Sequence, residues 1–330
     1  MAKEDDFIEL AKSFFKPHPR IKVGPGDDGA VISEISTNEL VVSVDALIED
    51  VHFRSHWLEY EDMGYRALAA ALSDLAAMGA RPLTYFVNLE LPSELEIDEV
   101  RDILQGMSLL GEKYCISAAG GNFTESDRIG IVTTVLGEAP RDGSVLRCCA
   151  QEGDIIAISG EVGYVESALR LFKMLPHSVD LNHKLRSGAL MKFRRPAPRF
   201  DVMEAVRRII KPHAAIDISD GLSIDLFRLA DLADLEAVIY EDLLPIPEVV
   251  RAVAELVGVE PWKLVLSSGE EFELIFAIAP DDFEKLQQNG VSLLRIGEFR
   301  PTFRPTVKFV KKDGREIDYI KGFEHFSSHR

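Results

Sequence analysis

Between residues 37 and 46 the chain reads TNELVVSVDA, and Val42, Val44 and Ala46 fall two apart. That spacing puts them on one face of a strand, with Ser43 and Asp45 on the other. The next patterned stretch, EDMGYRALAAALSDLAAMG at 61–79, is rich in Ala and Leu and is followed by Pro82. High helix propensity and the terminal Gly79 predict a buried helix stopped at that point. LTYFVNLEL (83–91) predicts a strand, 97–113 a helix, and RIGIVTTVLGEA (128–139) another strand. PRDGSVLRCCAQEGD (140–154) is turn-rich and keeps no period, which places a domain boundary there. Beyond it come the strand IIAIS (155–159) and a helix with Val162, Val165, Leu169 and Phe172 on one face. AAIDISDG (214–221) runs from strand through a turn into the helix LSIDLFRLADLA, and EEFELIFAIA (270–279) alternates Phe272, Leu274, Phe276 and Ile278 as a half-buried strand. Strands and helices alternate in both halves, so the class is α/β or α+β, with domains at 1–139 and 140–330.

Composition narrows the function. A chain of 330 residues with 46% hydrophobic and 28% charged residues reads as a globular protein of two domains. A formal charge of −18 argues against a partner bound through its phosphate backbone, so no nucleic acid is expected. It does not exclude a nucleotide-using enzyme, because bound cations reverse the local sign. The three cysteines, Cys115, Cys148 and Cys149, form neither a disulfide framework nor a C-x-x-C knuckle. The opening MAKEDDFIELAKSFF is acidic where a leader peptide is basic, and no run approaches membrane-spanning length. A cytoplasmic protein with no membrane partner is the expectation.

Two signals carry chemistry. Gly24, Gly26 and Gly29 fit G-x-G-x-x-G, yet the following AVIS favours a strand where a dinucleotide-binding turn opens a helix. No G-x-x-x-x-G-K-[ST] is present either. The loop instead carries Asp27 and Asp28, which suits either a solvated turn or carboxylates converging on a hard cation. Further acids stand at telling places. Asp45 lies near a strand end, Asp74 sits inside the Ala-rich helix, and Asp217 lies between Ile216 and Ile218. A carboxylate among core residues must be paired, hydrogen-bonded, metal-bound or on an exposed stripe. Asp217 and Ser219 share a strand face, and Ser219 or Asp220 is placed to start the next helix as an N-cap. Magnesium takes one or two carboxylates per ion, together with waters and phosphate oxygens, so scattered aspartates point to several ions shared with a polyphosphate.

GPGDDGAV, SVDALIEDVHF, SDLAAMGARP, GGNFT, AIDISDGLSIDL and SSGEEFELIF occur in the order found in thiamine-monophosphate kinases. That family belongs to the superfamily of aminoimidazole ribonucleotide synthetase and selenophosphate synthetase, and the resemblance runs from about Phe7 to KGFEHF at 321–326. It implies a two-domain aminoimidazole ribonucleotide synthetase-like fold whose N-terminal domain builds a β-barrel across a homodimer. It also implies phosphorylation of thiamine monophosphate by ATP in a cleft between the domains, by direct in-line transfer with several Mg²⁺ ions.

Carried over by position, Asp28, Ser43, Asp45, Asp74, Asn122, Asp217 and Asp220 resemble the family's metal ligands, with Asp27 in the same loop. Gly120, Gly121, Asn122, Arg147 and Ser219 match its ATP-binding positions, and His52, Glu270 and Phe323 its substrate-side ones. Plainer roles exist for three of these: a hydrogen-bonded histidine at a strand end, a surface arginine, and an aromatic in the core or a docked tail. The chain departs from the family in having Asn122 where many members have Asp, and SSGEEFEL with Phe272 in place of a G-G-E-D-Y motif. Two alternatives stand beside the kinase. One is another ATP-using enzyme of the superfamily, aminoimidazole ribonucleotide synthetase-like; the other is a non-catalytic sensor of nucleotide or thiamine phosphate.

Overall fold

The computed structural model describes residues 13–14, 18–19, 21–23, 31–32, 39–174, 183–319 and 322. The chain divides into two compact units, Met1–Leu75 with Ala80–Ser144, and Ala76–Gly79 with Val145–Arg330. Short strands β1 (Ile21–Val23) and β2 (Val31–Ile32) pair antiparallel. The stretch after the glycine pattern therefore enters a strand at Val31–Ile32, as its β-branched residues predict. Residues 24–30, with Asp27 and Asp28, lie outside the described residues.

The first unit is built on a sheet of β3 (Leu40–Ile48), β4 (Arg81–Leu91), β5 (Ala118–Glu125) and β6 (Gly130–Glu138) in the order β3-β6-β4-β5. β6 runs antiparallel to both β3 and β4, and β5 runs parallel to β4. Val41, Leu47, Tyr85, Val87, Leu89, Ile131 and Val135 are buried on one face. Helices α1 (Tyr60–Ala77) and α2 (Ile97–Lys113) complete this unit. α1 ends near the predicted stop, where Gly79 N–H donates to Ala76 O and Ala80 N–H to Leu75 O, satisfying two orphan carbonyls of its last turn. α2 spans the predicted residues, its start fixed by a reciprocal capping box between Glu96 and Glu99.

The alternation in β3 is real, but its apolar face is the outward one. Leu40, Val42 and Val44 are 45%, 56% and 60% exposed, while Ser43 and Asp45 are half-buried. Buried polar residues and bared aliphatic ones invert the usual arrangement, and such a face marks an interaction surface.

The second unit holds a sheet in the order β13-β12-β9-β11-β7-β10-β8. Its strands are β7 (Ile155–Ile158), β8 (Ala214–Asp217), β9 (Leu235–Tyr240), β10 (Leu274–Ile278), β11 (Leu294–Pro301), β12 (Thr306–Val310) and β13 (Glu316–Asp318). Neighbours run antiparallel except β12 and β9. β10 corrects the sequence expectation: it is buried on both faces, Leu274, Phe276 and Ile278 packing into a cluster with Met203, Val206, Phe283 and Leu286, and Ile275 and Ala277 being buried on the other side. Helices α3 (Tyr164–Met174), α4 (His183–Arg194), α5 (Phe200–Arg207), α6 (Leu222–Leu232), α7 (Glu248–Val257), α8 (Pro261–Ser267) and α9 (Pro280–Gln288) accompany these strands. In α3 the buried face runs through Val165, Ala168, Leu171 and Phe172, leaving Leu169 half-buried. Each sheet keeps two free edges, so among the described residues neither closes into a barrel within the chain.

Candidate functional site

In the first unit the inward polar face of β3 meets α1. Ser43 Oγ donates to Asp74 Oδ2 at 2.5 Å, a short hydrogen bond to a charged acceptor. This explains a carboxylate in an Ala-rich helix: Asp74 is half-buried between buried Ser73 and Leu75, and the strand supplies its partner. Asp45, two residues along on the same face, accepts from the Ala46 amide through Oδ1 at 2.7 Å. Across from Asp45 in register stands Thr133 of β6, fully buried, whose Oγ1 has no hydrogen-bond partner among the described residues. An orphaned hydroxyl beside two carboxylates and a serine forms an oxygen-only donor set, the chemistry a hard hydrated cation requires. No group of three or more His, Cys, Asp or Glu among the described residues is placed to hold a metal alone. Such a set suits an ion that takes phosphate oxygens as its remaining ligands.

Asn122 is placed differently. It pairs in register with Asn88, and its Nδ2 donates to Asn88 Oδ1 and Thr124 Oγ1, each at 2.8 Å. Asn88 aligns with Val132 and Val132 with Ala46, so Asn122 lies on the sheet face opposite Ser43 and Asp45. The structure therefore brings Ser43, Asp45 and Asp74 together and leaves Asn122 apart from them.

Gly120 and Gly121 precede Asn122 on the edge strand β5. A Cβ on Gly121 would come 2.2 Å from Val87 O, so only glycine lets β5 pair this closely with β4. Gly121→Val is expected to cost about 1–3 kcal/mol through this overlap. Thermal unfolding checks it, and an unchanged melting temperature would refute the close approach. His52 accepts the Ile48 N–H on Nδ1 at 3.0 Å, closing the turn after β3; in the neutral ring this leaves the proton on Nε2.

In the second unit β8 delivers Asp217, 1% exposed, to the start of the turn before α6. The helix begins later than its capping residues predict. Its N-cap is Gly221, at φ 140°, without a side-chain cap. The capping is done from inside the helix by Asp225, whose Oδ2 accepts the amides of Ser219, Asp220 and Gly221, each at 3.0 Å. Neither Ser219 nor Asp220 acts as the N-cap. Arg228 clamps the arrangement, pairing with Asp225 Oδ1 at 2.5 Å and with Asp220 Oδ2. Burial pushes the Asp225 carboxyl up to about 6; Arg228 and the donated amides pull the other way, and the Asp220 charge adds to the rise.

The loop at 268–273 folds onto this turn. Glu270 N–H donates to Ser219 O at 2.7 Å and Phe272 N–H to Ile218 O at 3.0 Å, which brings Glu270 beside Ser219. Both donors hold positive φ, 52° and 53°, a strained conformation for residues with side chains and one found at functional sites. Between them Glu271 is buried. Its Oε1 accepts the Gly163 and Val165 amides and the Ser268 hydroxyl, and burial raises its pKa. Glu273, 2% exposed, takes Ser159 Oγ, Lys192 Nζ and Arg199 Nη1 at 2.5–2.6 Å, tying α4 to the ends of β7 and β10. Arg147 is exposed in a short turn (Arg147–Cys149) that packs against β8 and α6. Phe323 lies outside the described residues, but Gly322 packs so near α6 that a Cβ there would meet Asp220 O at 2.5 Å.

Asp225, Glu271 and Glu273 were missed by sequence reasoning. The signal was the one that picked out Asp217, an acid flanked by apolar residues, as Asp225 is by Ile224 and Leu226 and Glu273 by Phe272 and Leu274; Glu271 follows Glu270 and lacked it.

A family model for AIR synthase related protein, N-terminal domain, matches residues 26–139. The chain is 32% identical to the thiamine-monophosphate kinase of Bacillus subtilis (strain 168), over 94% of this chain and 95% of that one. The chain belongs to the thiamine-monophosphate kinase family. A crystal structure of a family member from Stenotrophomonas maltophilia K279a superposes with a TM-score of 0.79 at 31% identity, covering 94% and 95% of the two chains. The structure of AaThiL complexed with AMPPCP and TMP matches with a TM-score of 0.77 at 28% identity, covering 91% of each. Family membership places the mixed fold, open sheets included, within the AIR synthase-like architecture.

Proposed function

We propose that this chain transfers the terminal phosphoryl group of ATP to thiamine monophosphate, forming thiamine diphosphate and ADP. The near full-length likeness to kinases of this substrate carries the reading, together with a neighbour solved with an ATP analogue and TMP. Asp28, Ser43, Asp45 and Asp74 in the first unit, and Asp217 and Asp220 in the second, are the residues that would hold Mg²⁺. Asn122 lies on the other sheet face, so its carbonyl oxygen serves a separate ion or the nucleotide directly. When bound, Mg²⁺ neutralises phosphate charge and aligns the oxygens for in-line transfer.

The chain's own residues hold and orient. The amides of Ser219, Asp220 and Gly221 are already spent on Asp225, so the start of α6 does not offer them to phosphate as a bare helix terminus would. Ser219 then acts through its hydroxyl and Arg147 through its guanidinium, while Gly120 and Gly121 admit the nucleotide close to the β5 backbone. His52, Glu270 and Phe323 are assigned to the recognition of thiamine monophosphate. Catalysis in this arrangement is positioning and charge stabilisation, with no covalent enzyme intermediate. The test is steady-state ADP release in Mg²⁺ and ATP. Release should require thiamine monophosphate; release independent of it would refute the assignment.

The bared face of β3 supports a homodimer whose sheets join into a barrel across a second copy. Val44→Lys at this exposed site is expected to leave the fold intact and halve the mass measured by light scattering. A dimer that survived the charge would contradict the interface. Biosynthesis of the diphosphate cofactor in the cytoplasm is the corresponding setting. No helix among the described residues is long and apolar enough to cross a membrane.

A further inference from the structure

Cys148 and Cys149 stand side by side in the turn that carries Arg147, both exposed and both free thiols. Their Sγ atoms lie 3.3 Å apart in a mutual hydrogen bond. Neighbouring Cα atoms across a trans peptide are about 3.8 Å apart, closer than the roughly 4.4–6.8 Å that disulfides usually span. The pair is thus poorly set for a sulfur–sulfur bond and well set for one bridging atom. An atom about 2.3 Å from each sulfur would see the two at an angle of roughly 90°. That angle is narrower than a tetrahedral ion prefers and matches a pyramidal trivalent centre. Among the described residues no group of three or more His, Cys, Asp or Glu is placed to bind a metal, so a further bond of such a centre must come from its own substituent.

We propose that Cys148 and Cys149 form a chelating dithiol site for a mono-organic trivalent arsenical, or an equivalent pyramidal thiophilic centre. Capture is a condensation. Two As–S bonds form, the bonds from arsenic to its oxo oxygen break, and both thiol protons leave with that oxygen as water. No oxidation state changes. The hydrogen bond with Cys148 and burial push the Cys149 thiol above its ordinary value, against the pull of nearby Lys211. The thiolate is the attacking form, so capture is expected to quicken as pH rises. The turn packs on β8 and α6, so a bound arsenical lies beside Arg147 and the strand-to-helix turn of Ser219. Resting on the ATP-binding role proposed for Arg147, occupation is expected to weaken nucleotide binding.

The reduced full-length protein is treated with phenylarsine oxide and weighed by intact mass spectrometry. One adduct per chain is expected, released by a dithiol such as dimercaptopropanol and retained in excess monothiol. Cys148→Ser and Cys149→Ser should each weaken capture at least about 100-fold by removing the chelate, and Cys115→Ser should leave it unchanged. No adduct at equimolar arsenical, or an adduct that survives either of the first two substitutions, overturns the site. Affinity for an unhydrolysable ATP analogue is measured on the same adduct. Capture with unchanged nucleotide affinity upholds the dithiol site and removes Arg147 from the nucleotide contacts.

Discussion

Asp45→Asn and Asp74→Asn are each expected to lower kcat by about 100-fold or more, the scale seen when one element of charge stabilisation is removed from an active site. Both side chains are half-buried on the β3–α1 face, and Asp74 already holds the Ser43 hydroxyl. The amide keeps the size and one oxygen but loses the charge that a divalent cation needs. The fold should survive, because neither carboxylate is in the packed core. The discriminating readout is the Mg²⁺ titration. Loss of a ligand moves half-saturation to higher Mg²⁺, whereas general misfolding lowers the melting temperature and leaves the titration midpoint where it was. A variant with near-normal turnover at limiting Mg²⁺ would remove that residue from the ligand set. Ser43→Ala should show the same shift to a smaller degree, since it withdraws a neutral donor.

Asp225→Ala is expected to cost about 3–5 kcal/mol, because it strands three backbone amides at roughly 1–3 kcal/mol each and Arg228, 37% exposed, is left partly solvated. The side chain is fully buried, and one oxygen satisfies three amides while the other pairs with Arg228. Truncation strands those amides together in a part-buried turn, each carrying its own desolvation penalty. For a unit of this size the melting temperature should fall by roughly 6–20 °C. Arg228 keeps Asp220, which places the loss toward the lower end of that range. Asp225→Asn retains an acceptor for the amides and should lose less than the alanine variant. A shift within 2 °C for the alanine variant, equivalent to about 1 kcal/mol or less, would show that the turn is held by something else.

Most elements were legible because local signals agreed with tertiary placement. α2 has an acidic capping box at its start, and α1 ends where Gly79 and Pro82 forbid continuation. What the pattern could not say was which way a face looks. Val42 and Val44 alternate with Ser43 and Asp45 whether the aliphatic side is in or out, and only packing decided that it is out. In the same way β10 carries an alternation of large apolar residues that suits a half-buried strand. In the folded unit Ile275 and Ala277 are buried as well, so both faces of this interior strand are covered.

The site was legible where an acid interrupts an apolar run. Asp74 and Asp217 stood out on that ground, and the structure finds one hydrogen-bonded to Ser43 and the other 1% exposed. Asp225, between Ile224 and Leu226, carries the same signal, but an acid in the first turn of a helix also has a plain explanation in its dipole preference. Its hold on the three preceding amides depends on the turn's backbone, with Gly221 at φ 140°, which composition does not reveal. Asn122 shows a further limit. Its separation from Ser43 and Asp45 depends on strand register, because a shift of one residue would bring it to their face.

Transfer of the terminal phosphoryl group can be followed in a single turnover. ATP carrying label in its γ-phosphate is mixed with thiamine monophosphate, Mg²⁺ and excess protein, and the products are separated by chromatography. Label should appear in the terminal phosphate of thiamine diphosphate, in step with ADP and without passing through the protein. Label retained on the chain, released as inorganic phosphate, or absent from the thiamine product would contradict direct transfer to thiamine monophosphate.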